Sequence, residues 1–257
     1  MSREREPLPT RVEDTPDLPA AYDVALLRGL AALGIELDAT ARAAIDGHVR
    51  MLLAWTTAIN LTAIREPAEV ALRHVVDSLS AVPWLRPSGP LRAVDLGSGG
   101  GFPGIPLAIA RPDLAMTLLE PIAKRSRFLT AAVAAVGFGD RIAVVTARAE
   151  GLAVDRAQRA TWSIVTARAV APLAELVELA FPLLAPGGSL VAWKRGDLAT
   201  ELAAADRATS ALGGGLIEVR ELPVDGLVDH RLVVVTRTGG VPDAYPRDPA
   251  ARRRRPW

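Results

Sequence analysis

No cysteine occurs anywhere in this 257-residue chain. Disulfides, thiolate metal sites and covalent catalysis through a thiol are therefore excluded. Histidine is almost as scarce, at three residues, which argues against a metal site. No apolar run reaches the roughly 18 residues a membrane helix needs. The charged, proline-rich start MSREREPLPTRVEDTPDLP lacks the apolar core of a secretory signal. The expectation is a cytoplasmic, soluble monomer with no membrane partner.

Lysine is scarce as well. Among 30 basic residues only Lys124 and Lys194 are lysines. Net charge is +1, but residues 239–257 carry five arginines against Asp243 and Asp248, so the body is slightly acidic. Overall charge does not mark a nucleic-acid binder; RNA affinity would need local patches. The end ARRRRPW reads either as a solvated basic tail or as a phosphate-seeking arm.

Half the residues are apolar, enough for a proper core. Residues 1–20 read as disordered, with alternating charges and prolines. Residues 21–90 read as a helical extension, with apolar residues at helical spacing, a break near Gly34 and a new helix after Pro67. From 91 to 238 strands and helices alternate. Strand candidates are 91–96, 115–120, 141–147, 162–169, 189–195, 216–224 and 231–238. Such alternation predicts an α/β fold with a mostly parallel sheet. The short link DGLVDH predicts that the last two strands form an antiparallel hairpin. Residues 239–257 read as a basic, disordered tail.

The stretch LRAVDLGSGGGFPGIPL, residues 91–107, carries the chemistry. GGGFPG can be read as the G-x-G-x-x-G of dinucleotide sites, a weak signal alone. The other phase is Asp95-x-Gly97-x-Gly99-x-Gly101. A carboxylate at the strand end would repel a pyrophosphate and favour a cationic ligand part. S-adenosylmethionine (SAM), with its ammonium and sulfonium, fits that preference. Glu120 ends the second predicted strand, where a carboxylate can accept from both ribose hydroxyls. Pro103 and Pro106 leave the helix start poor in N–H donors. No G-K-[ST] follows the glycines, so a P-loop is excluded. TARAE, with Ala149 and Glu150, follows the third strand and would border an adenine ring.

The acceptor side narrows by elimination. The fourth strand is followed by TARAVAPL rather than the [ND]-P-P-[YF] of many exocyclic amine methylases. Carbon-5 methylation of pyrimidines needs a cysteine. A 2′-O-methyltransferase needs a lysine-centred base assembly, which the two lysines leave strained but open. Guanine N7 has a free lone pair and no proton to remove, so alignment and electrostatics suffice.

The segments NLTAIREP…RHVVDSL, VDLGSGGGFPGIPLAIARPD, LLEPIAKRSRFL, ARAE, TARAVAPL and WKRG together resemble the RsmG (GidB) family. The resemblance runs from about residue 25 to 238. It implies a Rossmann-like class I SAM-dependent methyltransferase with a seven-stranded, mostly parallel sheet and an N-terminal helical extension. It implies formation of 7-methylguanosine in the 530 loop of 16S ribosomal RNA, free or within the small ribosomal subunit. SAM contacts are implied at Gly97, Phe102, Ala149, Glu150 and Arg168. Glu120 stands where the family more often has Asp, and SGGG departs mildly from its usual loop. Arg168 and Lys194 are the expected catalytic residues, orienting the acceptor. His74, Asp77, Lys124, Arg125, Lys194 and Arg195 are the expected RNA contacts. Two rivals remain: an NAD-dependent oxidoreductase, and an RNA-binding assembly factor that keeps a SAM pocket without catalysis.

Overall fold

The structure, a computed structural model, describes residues 7–85 and 89–257. Helix α1 (Ala20–Leu33) ends on Gly34, whose φ of 64° is the left-handed turn that glycine adopts without strain. Helix α2 (Ala39–Thr56) starts on Asp38, whose carboxylate accepts from the Ala41 amide at 2.7 Å. Helix α3 (Pro67–Val70) places proline in its first turn and runs through a π turn (Ala71–Val76) into α4 (Asp77–Leu79).

The alternating part follows as β1 (Leu91–Leu96), α5 (Gly104–Ala110), β2 (Leu114–Leu119), α6 (Ala123–Ala135), β3 (Ile142–Val145) and α7 (Ala149–Val154). Then come β4 (Trp162–Arg168), α8 (Leu173–Ala180), β5 (Leu184–Arg195), α9 (Ala199–Ala211), β6 (Gly214–Glu221) and β7 (His230–Arg237). The sheet order is β3-β2-β1-β4-β5-β7-β6. The first five strands are parallel; β7 pairs antiparallel with both β5 and β6, giving the expected hairpin. Strand order reverses between β1 and β4. In open α/β sheets that switch point opens a crevice at the carboxyl ends of the strands.

The period of two along each strand assigns side chains to faces. Ala93, Ile164, Val191, Trp193 and Leu232 face the core shared with α1 to α6. Val94, Leu96, Val165, Leu190, Ala192 and Val233 face the core shared with α8 and α9. The helical extension is therefore not a separate unit. Its Tyr22, Leu26, Ile45 and Val49 are buried in the same core as Phe128 and Ile105 of the sheet's own helices.

Two segments differ from the expectation of disorder. Residues 1–6 of the N-terminal stretch lie outside the described residues, but the part from residue 7 lies against α2. There Trp55 Nε1 donates to the Pro9 carbonyl at 2.8 Å, and Arg50 Nε donates to Thr15 Oγ1 at 3.1 Å. The tail folds back on α8 and ends in α10 (Pro249–Arg254). Asp248 caps that helix, accepting from the Ala250 and Ala251 amides at 2.9 Å each. Arg247 donates to Glu178 through its backbone N–H at 2.8 Å and through Nε at 3.0 Å, and Trp257 Nε1 reaches the same carboxylate at 2.6 Å. The basic composition that suggested a solvated tail is partly consumed by the buried Glu178.

Candidate active site

The glycine loop leaves β1 at its carboxyl end and bends over β2. Gly97 and Ser98 donate to the Leu119 carbonyl at 2.8 and 3.2 Å. Gly97, Gly99 and Gly101 have φ of 66°, 54° and 87°, so side chains there would be strained. At Gly99 the direction of a missing Cβ is open, with the Gly97 carbonyl at 3.8 Å its nearest neighbour. Bare backbone there can be approached closely by a ligand. Gly97 and Gly99 line a cleft of about 540 Å³ together with Phe102, His74, Arg168 and Trp193.

Glu120 lies just past β2 and is 2% exposed. Its carboxylate accepts from the Gly99 amide and from the Ile122 amide, both at 2.9 Å. It fixes the loop from the carboxyl end of β2. Asp95 is placed differently from expectation. It shares the face of Ala93 and is fully buried beneath the loop, so it cannot reach a ligand directly. Thr166 Oγ1 donates to its Oδ1 at 2.7 Å, whereas Oδ2 has no hydrogen-bond partner among the described residues. A Cβ on Gly104 would come within 3.0 Å of that oxygen and 2.4 Å of Leu118. Asp95 thus underpins the loop and contributes negative charge through a buried wall.

Burial raises the Asp95 pKa to about 6, against the opposing bond from Thr166. Its folded pKa lies above the ordinary 3.8, so the native state holds the proton more tightly between those values. Stability should therefore fall as pH rises from about 4 to 6 and be flat in this component above that. Asp95→Asn removes the component. Urea titrations of both proteins across pH should show a difference of about 2–3 kcal/mol accumulating over that window; a pH-independent difference would show that Asp95 does not titrate there.

The opposite wall of the cleft is centred on Arg168. Arg168 ends β4 on the face of Ile164 and Thr166, and its side chain is 16% exposed. Nη1 donates to Asp77 Oδ2 and to the Arg73 carbonyl, both at 3.0 Å, and Nη2 lies 3.3 Å from His74 Nδ1. Guanidinium can only donate, so Nδ1 is the acceptor and the His74 proton sits on Nε2. Nε2 in turn lies 2.7 Å from Thr62 Oγ1. Burial first, and then the Arg168 charge, lower the His74 pKa to about 3, which keeps the ring neutral. Phe102 lies between two histidine rings, with centroids 4.5 Å from His48 and 4.8 Å from His74. Arg168 stands 5.4 Å over the Phe102 ring.

The expected pair His74 and Asp77 does meet at one face, on either side of Arg168. Asp77, however, is 2% exposed, and both carboxylate oxygens are engaged, the second by His230 Nδ1 at 2.8 Å. It is an anchor for Arg168 rather than a surface for RNA. Lys194 points the other way, because the strand period puts it opposite Trp193. It donates to the Ala171 carbonyl at 2.8 Å and pairs with Glu201 of α9. Lys194 is thus at the cleft edge but not in the Arg168 network. Arg195 is half exposed and paired with Asp229 at 3.1 Å. Lys124 and Arg125 open α6; Lys124 is exposed and Arg125 lines the cleft. Ala149 and Glu150 begin α7 at the same sheet edge.

Three participants escaped the sequence reading. His48 of α2 contacts the glycine loop, its Nε2 2.8 Å from the Gly100 carbonyl. Trp193 Nε1 donates to the Asp77 carbonyl at 2.6 Å. His230 joins β7 to the same aspartate. The one signal available was composition, since all three histidines of the chain cluster around this cleft.

A sheet of this order with a ligand-open glycine loop at its switch point, a buried carboxylate after β2 and a cation-walled cleft defines a Rossmann-like fold of the methyltransferase type. Solved structures share it: a protein from Corynebacterium glutamicum (TM-score 0.53, 19% identity, 84% of this chain and 98% of that one) and a SAM-dependent O-methyltransferase from Thermotoga maritima (TM-score 0.51, 14% identity, 73% and 71%). At those identities the likeness concerns the fold. The family is shown by sequence: the model for rRNA small subunit methyltransferase G matches residues 41–224. Curated proteins named ribosomal RNA small subunit methyltransferase G are 38% identical in Roseiflexus sp. strain RS-1, covering 90% of this chain and 98% of that protein, and 38% identical in Symbiobacterium thermophilum, covering 88% and 94%. The chain belongs to the rRNA small subunit methyltransferase G family.

Proposed function

We propose that this protein transfers a methyl group from SAM to N7 of a guanosine in the 530 loop of 16S ribosomal RNA, acting in the cytoplasm as a monomer. The donor-side residues fit SAM. Gly99 offers bare backbone, Glu120 offers a carboxylate to the ribose, and Ala149 and Glu150 border the adenine. Asp95 and Glu120 make this side of the cleft negative, which suits an ammonium and a sulfonium. SAM, when bound, supplies a methyl on a positively charged sulfur, open to displacement by a lone pair.

The observation that carries the N7 reading is the state of Arg168 and His74. His74 has both ring nitrogens engaged and stays neutral, so it is not poised to take a proton from an acceptor. A nucleophile with no proton to lose suits such a wall. Arg168 spends three N–H groups on Asp77, Arg73 and His74, leaving two of its five donors for a guanine O6 or a phosphate. Lys124, Arg125 and Arg195 would grip RNA phosphates around the rim. No helix among the described residues is long and apolar enough to cross a membrane.

Calorimetry separates this reading from the dinucleotide one: SAM should bind and NAD should not. Binding of NAD alone would refute it. Small subunits lacking the mark should take up labelled methyl from SAM, whereas an assembly factor would bind SAM and leave the RNA unlabelled.

A further inference from the structure

The arginine-rich tail plays no part in the reaction just described, yet its Arg252 is 8% exposed and tied to two other helices, α7 and α8, as well as to the tail itself. Nε donates to Glu175 Oε1 of α8 at 3.0 Å, and Nη1 donates to the Arg247 carbonyl at 2.6 Å. Nη2 pairs with Glu150 Oε1 in the first turn of α7. That turn follows β3 at the sheet edge that carries the glycine loop and Glu120.

Helix α7 is otherwise held by few contacts: Ala149 and Leu152 pack half-buried against the α8 core, and Arg159 Nη1 donates to the Ala153 carbonyl at 3.3 Å. It is six residues long, has no side-chain cap at its start and buries only Ala153. The tail, by contrast, is well fastened. Arg247 and Trp257 both grip Glu178, whose side chain is 0% exposed, and the Arg247 guanidinium lies 4.8 Å over the Trp257 ring. A rigid fork thus reaches from a fastened element to a loosely held one. Arg253, Arg254 and Arg255, at and just past the end of α10, remain exposed.

We propose that Arg252 is a positioning residue for the donor site: the docked tail holds Glu150 and the start of α7 where the adenosine end of SAM binds. The proposal rests on the reading of Ala149 and Glu150 as cofactor contacts. Losing Arg252 leaves Glu150 free to change rotamer and α7 free to fray, so binding must re-order both.

The test uses the full-length protein and four variants, read by SAM calorimetry, thermal melting and amide hydrogen exchange without SAM. Arg252→Ala should raise the Kd for SAM about tenfold, a size usual for coupling through one side chain, and speed exchange of the α7 amides. Arg252→Lys should recover part of the affinity. Glu175→Ala breaks the α8 contact alone; it should lower the melting temperature and leave the Kd within about twofold. If Arg252→Ala lowers the melting temperature but leaves both the Kd and α7 exchange unchanged, the tail is a structural staple only and the proposal fails. Glu150→Ala distinguishes the two levels of failure. If it too binds SAM like the parent protein, the cofactor reading of Glu150 is what has failed.

Discussion

Arg168→Ala is expected to lower kcat/KM for RNA methylation by at least about 100-fold. The arginine is held by Asp77, the Arg73 carbonyl and His74, so under the proposed function its guanidinium is fixed in place before RNA arrives. Charge-assisted hydrogen bonds to an acceptor are worth about 1.5–3 kcal/mol each, and two of them account for a loss of that size. The substitution also strands the buried Asp77 with His230 as its remaining side-chain partner, so stability should drop as well. Arg168→Lys separates the two effects. It keeps the charge beside Asp77 but loses the planar fork. Its folding should be close to that of the parent protein while methylation stays low. Steady-state kinetics on small subunits, set beside urea unfolding, checks both. Full activity in a folded Arg168→Lys variant would remove the arginine from the reaction.

Arg247→Ala is expected to cost about 3–5 kcal/mol of stability, the usual result of removing one partner from a buried ion pair. For a chain of this size that lowers the melting midpoint by roughly 10 °C. Glu178 lies wholly inside the α8 face, and burial alone would raise its pKa; the Arg247 bonds more than offset this and hold it below 4.5. The stabilisation is therefore present above that pH and lost as pH falls below it. Glu178→Gln in the same background should restore part of the loss, because a neutral amide no longer needs a cation. A melting temperature unchanged by Arg247→Ala would mean that the tail is undocked in solution.

Much of the fold could be read because its signals are local. Strand-helix alternation, the helix break at Gly34, the start at Pro67 and the short DGLVDH link each depend on a few neighbouring residues. The glycine loop and its tie to Glu120 were legible for the same reason: acid, glycines and a second acid recur at fixed spacing. What could not be read depends on residues far apart in the chain. Asp95 looked like a ligand contact because its position at the strand end was clear, while its burial under Gly104 and Thr166 was not. Asp77 looked like a surface acid until β4 and β7 brought Arg168 and His230 to it. Lys194 was placed beside Arg168 by proximity in the fold, but strand alternation turns it toward Glu201. The tail misled most. Five arginines suggest solvent, and the acids that receive two of them, Glu150, Glu175 and Glu178, lie about 70–100 residues away. Asp248-Pro249 was its one local hint, a cap followed by a first-turn proline.

The most direct test maps the methyl group. Small ribosomal subunits purified from a strain lacking this gene are incubated with the protein and SAM, and their 16S RNA is digested and sequenced by mass spectrometry. One 7-methylguanosine in the 530 loop is the predicted result, absent without protein and strongly reduced with Arg168→Lys. A methyl group on another atom, on another loop, or no incorporation at all would contradict the account.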